Sequence, residues 1–245
     1  MSRTGILILA HGSRNAKWIQ YIEEVVHSVQ TEHPVQIGYL ELVEGKSIAD
    51  GVRKLNELRV SQIKAIPLFM CSGSTHLEEI QYALGIIKES RIPTDLEPID
   101  SAAEIIWMPP LDDHLFVLQI LDERVQALVN QAEQEHLLII AHGSEIEGFQ
   151  DVWEKLLENI CRHIQEKYSF VSTTYATLHP DTIREKAERI SRIGELVILP
   201  LFLSEGYFTT QLIPNKLEGI QYRYKGQTLL PHPLVKEWIA EGINQ

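Results

Sequence analysis

The sequence predicts an α/β protein of two similar lobes, each a small parallel sheet flanked by helices. The first observation behind that prediction is that the chain repeats itself. GILILAHGSR at 5–14 returns as HLLIIAHGSE at 136–145, and IPLFMCSG at 66–73 returns as LPLFLSEG at 199–206. A third pair, PPLDDHLFVLQILDERV at 109–125 and LLPHPLVKEWIAEGI at 229–243, matches His114 with His232. Three matches in one order describe a duplicated unit rather than a short motif met twice by chance. The second observation is the rhythm inside each copy, where short apolar runs alternate with helix-period segments, as in parallel strands joined by crossover helices. The third is length: 245 residues accommodate one large domain or two small ones. The repeat divides them into 1–130 and 137–245, joined by the polar stretch Asn130 to Glu135.

Each element of the first copy has its own signal. Ile6 to Leu9 is a continuous apolar run, the pattern of a parallel strand buried on both faces. Trp18, Ile22, Val25 and Val29 then recur at helical spacing. Gln36 to Leu42 reads as the second strand. Ser47 with Asp50 three residues on reads as a capping box for a helix carrying Val52, Leu55 and Leu58. Ile63 to Phe69 is a third strand containing Pro67. Thr75 with Glu78 predicts another cap, ahead of Leu77, Ile80, Leu84 and Ile87. A strand at Glu104 to Met108 and a helix from Leu111 to Ala132 close the unit.

Composition narrows the function. Hydrophobic residues at 44% and charged residues at 23% are ordinary for a folded globular chain and exclude a disordered or collagen-like one. The 22 basic and 34 acidic residues give a net charge of −12, which repels phosphate backbones, so no nucleic-acid partner is expected. Cys71 and Cys161 form no CxxC pair and no disulfide framework, which fits a reducing, cytoplasmic setting. The same two separated cysteines argue against an iron–sulfur cluster, and no permanently bound cofactor is expected. The apolar run Gly5 to Ala10 is too short for an export signal, and nothing reaches the roughly 18 residues that span a bilayer, so no membrane partner is expected either.

Parallel sheets collect their chemistry beyond the carboxyl ends of the strands. His11 stands just past the first strand, Glu41 near the end of the second and His76 just past the third. Adjacent strands would bring two imidazoles and a carboxylate to one crevice, a set that binds a divalent metal or accepts protons. A histidine held in a tight turn for structural reasons is the competing reading of each. Other sites are absent from the sequence. HGS lacks the spacing of a dinucleotide fingerprint and the lysine of a phosphate-binding loop. Ser13 and Ser144 lie in no GxSxG elbow, and no HExxH or CxxC…CxxC signature occurs.

Taken together, the strand-AHGS openings, the Leu40-Glu41-Leu42 segment, the PLF strand leading to a histidine and an acidic residue, and the endings around His114 and His232 resemble the sirohydrochlorin chelatases. These belong to the class II tetrapyrrole chelatases, with protoporphyrin ferrochelatase and anaerobic cobaltochelatase. The resemblance covers nearly the whole chain. It implies a two-lobed chelatase-like fold and insertion of Fe²⁺ or Co²⁺, as substrate metal, into a metal-free tetrapyrrole during sirohaem or cobalamin synthesis. Carried over residue by residue, it makes His11, His76 and Glu41 catalytic, and adds Glu79 to those three as a metal ligand. His76 stands one residue later than the family's second histidine.

The implied chemistry suits these residue types. Metal insertion removes two pyrrole protons and moves the ion from a weak protein site to four ring nitrogens. Imidazole accepts a proton near neutrality and, when neutral, binds borderline metals. The substrate's carboxylates call for local positive charge and hydrogen-bond donors, for which Ser13, Arg14, Lys17 and Arg53 are candidates. The second copy keeps His142, but Phe208 replaces the second histidine, Leu212 the acidic residue, and no carboxylate lies in Ser169 to Leu178. The reaction is therefore expected in the first lobe, with Tyr207 and Phe208 available to pack against a flat ring or the core. A metal carrier of the same fold and a chelatase for another tetrapyrrole are the alternatives. The duplication suits a monomer, and a homodimer stays open.

Overall fold

Ile6, Leu7, Ile8 and Leu9, each 0% exposed, are the spine of the first sheet. They lie in β1 (Thr4–Ala10), which pairs in parallel with β2 (Val35–Tyr39) on one side and β3 (Gln62–Pro67) on the other. With β4 (Glu104–Trp107) the order is β2-β1-β3-β4. A central strand with both edges paired and both faces covered has no position for a polar side chain, which is why the run is unbroken. The computed structural model describes residues 3–245; Met1 and Ser2, which open the predicted first lobe and the stretch read for an export signal, lie outside the described residues.

The crossovers are α1 (Ala16–His27), α2 (Ile48–Glu57) and α3 (Thr75–Ala83). The predicted capping box starts α2: Ser47 Oγ accepts from Asp50 N at 3.1 Å, and Asp50 Oδ2 accepts from Ser47 N at 3.1 Å. Val52 and Leu55 of α2 then close the sheet's core with Leu7, Leu9, Ile63 and Ile80. Burying each such side chain contributes about 1.5–3 kcal/mol.

Three predicted boundaries are corrected. The second strand stops at Tyr39 rather than Leu42, because the chain turns away through Leu42, whose φ of 64° is left-handed. The start of α3 is not capped by Thr75 and Glu78. Ser74 is the N-cap and makes no side-chain cap bond, while Glu78 is buried and bonds Arg91 Nε at 2.8 Å. The helix predicted from Leu111 to Ala132 is α4 (Leu115–Leu128), opened by His114, whose Nδ1 accepts from Phe116 N at 3.3 Å.

The compact units do not follow the repeat. One takes in the chain up to Leu111 together with Val235–Gln245, and the other is Asp112–Leu234. The first unit thus includes most of α8 (Pro233–Asn244), where Lys64 Nζ donates to Ile243 O at 2.7 Å and Gly242 lies against Ile66. The second is built on β5 (Glu135–Gly143), flanked by β6 (Ser172–His179) and β7 (Glu195–Pro200) in the order β6-β5-β7. A parallel bridge from Val197 to Arg223 extends it where the first sheet has β4. Its helices are α4, α5 (Phe149–Tyr168), α6 (Ile183–Ser191) and, after a π-helical turn at Phe208–Leu212, α7 (Ile213–Lys216).

Buried polar groups tie this second unit together. Asp122 of α4, 6% exposed, accepts from Lys167 Nζ at 2.6 Å and His163 Nε2 at 3.2 Å, both on α5. Glu135, 1% exposed, takes Arg223 Nη1 at 2.6 Å and the amides of Asn130 and Gln131, each at 3.2 Å. A carboxylate so enclosed persists because cationic and N–H donors are bonded to it. Among the described residues no helix is long and apolar enough to cross a membrane.

Candidate active site

Beyond the carboxyl end of β1 stands the backbone of Gly12. Its φ is +98°, and a Cβ there would stand 1.9 Å from Glu41 O. Only glycine allows this approach, and through it Leu40 N reaches Ala10 O at 2.9 Å and Glu41 N reaches His11 O at 3.0 Å. The ends of β1 and β2 are thereby stapled side by side. His11 and Glu41 emerge as neighbours, with Nε2 and Oε1 3.6 Å apart. The third group arrives from β3, after a turn in which Leu68 N bonds Leu9 O at 2.8 Å and Gly73 N bonds the buried Cys71 Sγ at 3.2 Å. That turn delivers His76 in the first helical turn of α3, its ring edge-on to His11 with centroids 4.6 Å apart. Glu79, three residues on, accepts from His76 Nδ1 at 2.9 Å.

Both tautomers follow from the acceptors. His11 Nδ1 lies 3.1 Å from Gly12 O, and a carbonyl can only accept, so Nδ1 carries a proton and the neutral ring keeps its lone pair on Nε2. The Glu79 carboxylate fixes His76 in the same way. A ligating histidine is oriented by such a bond from its other nitrogen. His11 and His76 are half-buried, whereas Glu41 is exposed. Among the described residues no three histidine, cysteine or carboxylate side chains are already closed around one point. The four groups are neighbours, not a finished cage.

The candidate positive groups are distributed differently. Ser13 Oγ accepts from Asn15 N at 3.0 Å, in the turn that opens α1. Arg14 is exposed, and Lys17 lies 5.5 Å from the centre of the Tyr21 ring. Arg53 bonds Asp50 at 2.6 Å and Glu57 at 3.4 Å along the outer face of α2. Nothing brings it to His11, and its charge is matched by two carboxylates on its own helix.

The second unit repeats the scaffold with other side chains. Gly143 has φ +74°, and a Cβ there would stand 2.2 Å from His179 O. His142 Nδ1 lies 3.1 Å from Gly143 O, as His11 does from Gly12 O. The register pairs Ala10 with Tyr39 and Ala141 with Thr177, so His179 occupies the position of Glu41. The sequence reading missed it by looking for a carboxylate and stopping at Leu178. The signal was the match of Tyr39-Leu40-Glu41 with Thr177-Leu178-His179. Phe208 stands edge-on to His142 at 5.6 Å, as His76 does to His11, and stacks on Phe202. His114 and His232 are both helix caps: His232 Nδ1 accepts from Leu234 N at 3.2 Å. Burial pushes the Cys161 thiol up to about 12, too high for a nucleophile.

Comparison with known proteins agrees with this architecture. A family model described as CbiX matches residues 5–128 and 136–245. The sirohydrochlorin cobaltochelatase of Methanopyrus kandleri is 24% identical over 140 residues, 51% of this chain and 97% of that protein, so that relative corresponds to about half of this chain. Among solved structures, SirB from Bacillus subtilis with Fe³⁺ has a TM-score of 0.75 at 17% identity, covering 99% of this chain and 94% of that one. CbiX, described as the terminal enzyme for biosynthesis of siroheme in denitrifying bacteria, has a TM-score of 0.66 at 20% identity, covering 99% and 98%. At these identities the structural likeness is one of fold.

Proposed function

Because the chain belongs to the CbiX family, whose model matches both repeats, we propose that it is a metal chelatase that inserts Fe²⁺ or Co²⁺ into metal-free sirohydrochlorin, in sirohaem or cobalamin biosynthesis. The observation that carries this reading is the meeting of His11, His76 and Glu41 at the ends of three adjacent strands, with both Nδ1 protons engaged. The reaction exchanges two pyrrole N–H protons for one divalent ion. In this reading the ion's transfer to the ring frees His11 Nε2, which accepts the two ring protons one after the other and passes each to Glu41, 3.6 Å away and open to water. His76, held by Glu79, supplies the second imidazole to the incoming ion. Two imidazoles and one exposed carboxylate hold a borderline ion without enclosing it, as release to the macrocycle requires. Arg14, Lys17 and Ser13, beside His11 in sequence, are our candidates for the substrate's carboxylates. Arg53, matched by Asp50 and Glu57, is left out of that set.

The test is an anaerobic absorbance time course of sirohydrochlorin with Co²⁺ or Fe²⁺ and substoichiometric protein. The proposal predicts many equivalents of metallated product per protein. A single stoichiometric phase, or no rate above the protein-free control with either metal, overturns it in favour of a metal carrier or a chelatase for another ring.

A further inference from the structure

A cavity of about 550 Å³ lies within the second unit, lined by residues of α4, of the π-helical turn and of the segment 224–231. That volume holds a small organic molecule. Hydrogen bonds fix its surroundings: Leu229 N and Leu230 N reach Phe202 O and Leu203 O at 3.1 and 2.7 Å, and the Tyr224 hydroxyl donates to Thr209 O at 2.8 Å. Two cations stand in the lining. Arg124 is half-buried and its Nε donates to Thr228 O at 3.1 Å, while Lys225 Nζ donates to Ala127 O. Both acceptors are neutral carbonyls. Among the described residues neither cation forms an ion pair, although acidic residues outnumber basic ones by 34 to 22 and Arg91, Lys167, Lys216 and Arg223 each meet a carboxylate. Burial holds the Arg124 guanidinium below its ordinary range, even with Glu123 beside it pulling the other way. A cation withdrawn from water without a counter-charge gains from an anion that arrives.

We propose that this cavity is a binding site for a small organic oxyanion, a carboxylate or phosphate on an apolar body, anchored by Arg124. With Nε committed to Thr228 O, the two terminal nitrogens of the guanidinium bond no protein acceptor among the described residues. They are the planar fork that takes two oxygens of one carboxylate or phosphate. Lys225 and the exposed amide of Gln227 add further donors, and Leu230 and Pro231 add apolar surface for the rest of the molecule. Burial raises the Tyr224 hydroxyl, which therefore stays neutral and adds no competing charge. Glu205 is the carboxylate of the lining. Two cations against one carboxylate leave the cavity positive in a chain whose total is −12, so it selects anions where the surface at large repels them.

The probes are phenyl phosphate and benzene-1,3-dicarboxylate, each titrated calorimetrically into the full chain at low ionic strength, with neutral benzamide as the control for shape. The proposal predicts that at least one of the two anions binds with one-to-one stoichiometry and that benzamide does not bind; which anion binds tells phosphate from carboxylate. Arg124→Gln weakens binding at least tenfold, and Arg124→Lys, which keeps the charge and loses the fork, falls between it and the native chain. Lys225→Gln, an exposed position, weakens binding at least threefold and carries the test if the Arg124 variants do not fold by circular dichroism. Added salt weakens binding to the native chain. No binding of either anion at millimolar concentration, equal binding of benzamide, or folded variants that bind as the native chain does overturns the proposal. Neither metal nor tetrapyrrole is present in the titration, so its failure and that of the proposed chelatase reaction are separable.

Discussion

Gly12 decides where two of the three candidate catalytic side chains stand, and it does so through an atom it lacks. A Cβ at this position would meet Glu41 O at 1.9 Å, a contact with backbone that no rotamer relieves. Gly85 separates this effect from conformational strain: its φ is +71°, yet its missing Cβ has nothing within 4 Å. Gly85→Ala is expected to cost about 1 kcal/mol, the ordinary penalty of a left-handed residue, and to leave metallation intact. Gly12→Ala must also part β1 from β2, so it costs more than that and lowers turnover at least tenfold. Urea denaturation and the metallation rate check both. At this scale His11 was legible because the buried apolar run of β1 stops where a polar residue begins, and Glu41 and His76 because each follows an apolar run, although the end of β2 was read at Leu42 and lies at Tyr39. His179 was not, since its place is set by a register across β5 and β6 and its chemical type differs from that of its counterpart.

Elements were read correctly where their signals are local. Ser47 and Asp50 lie three residues apart and cap α2 as the pattern required. Thr75 and Glu78 have the same spacing and do not, because Arg91, thirteen residues beyond Glu78, claims that carboxylate. The guanidinium of Arg91 is also what holds the Glu78 carboxyl below the usual range. The cap on α2 has a testable pH signature. Hydrogen bonds from Arg53 and Ser47 hold the Asp50 carboxyl at about 2, against an ordinary 3.8. Folding therefore favours the ionised form, so the contribution is complete above the ordinary value and disappears as pH falls through about 2. The stability difference between the native chain and Asp50→Asn should stay level from neutrality down to about pH 5, then shrink toward pH 2. Denaturant unfolding across that range measures it, and a difference that grows on acidification would contradict the assignment.

At the scale of the molecule the sequence revealed the duplication but not the partition. Helical periodicity says that α4 and α8 each have an apolar face; it does not say which sheet that face covers. In the fold, α4 belongs to the unit of β5 and most of α8 to the unit of β1, so each repeat's last helix serves the other's unit. Duplication gave both units one scaffold, with a glycine staple and a histidine after the central strand. The first unit carries Glu41, His76 and the supporting Glu79 where the second carries His179, Phe208 and Leu212. The central claim is that this first unit carries the chemistry, and His11 is the residue on which it rests most directly. The decisive measurement is the anaerobic rate of sirohydrochlorin metallation by His11→Ala, beside the native chain and His33→Ala, which removes an exposed histidine from the β1–β2 crossover. The account predicts that His33→Ala matches the native rate and that His11→Ala, still folded, falls at least a hundredfold. A folded His11→Ala protein that turns over at the native rate would contradict it.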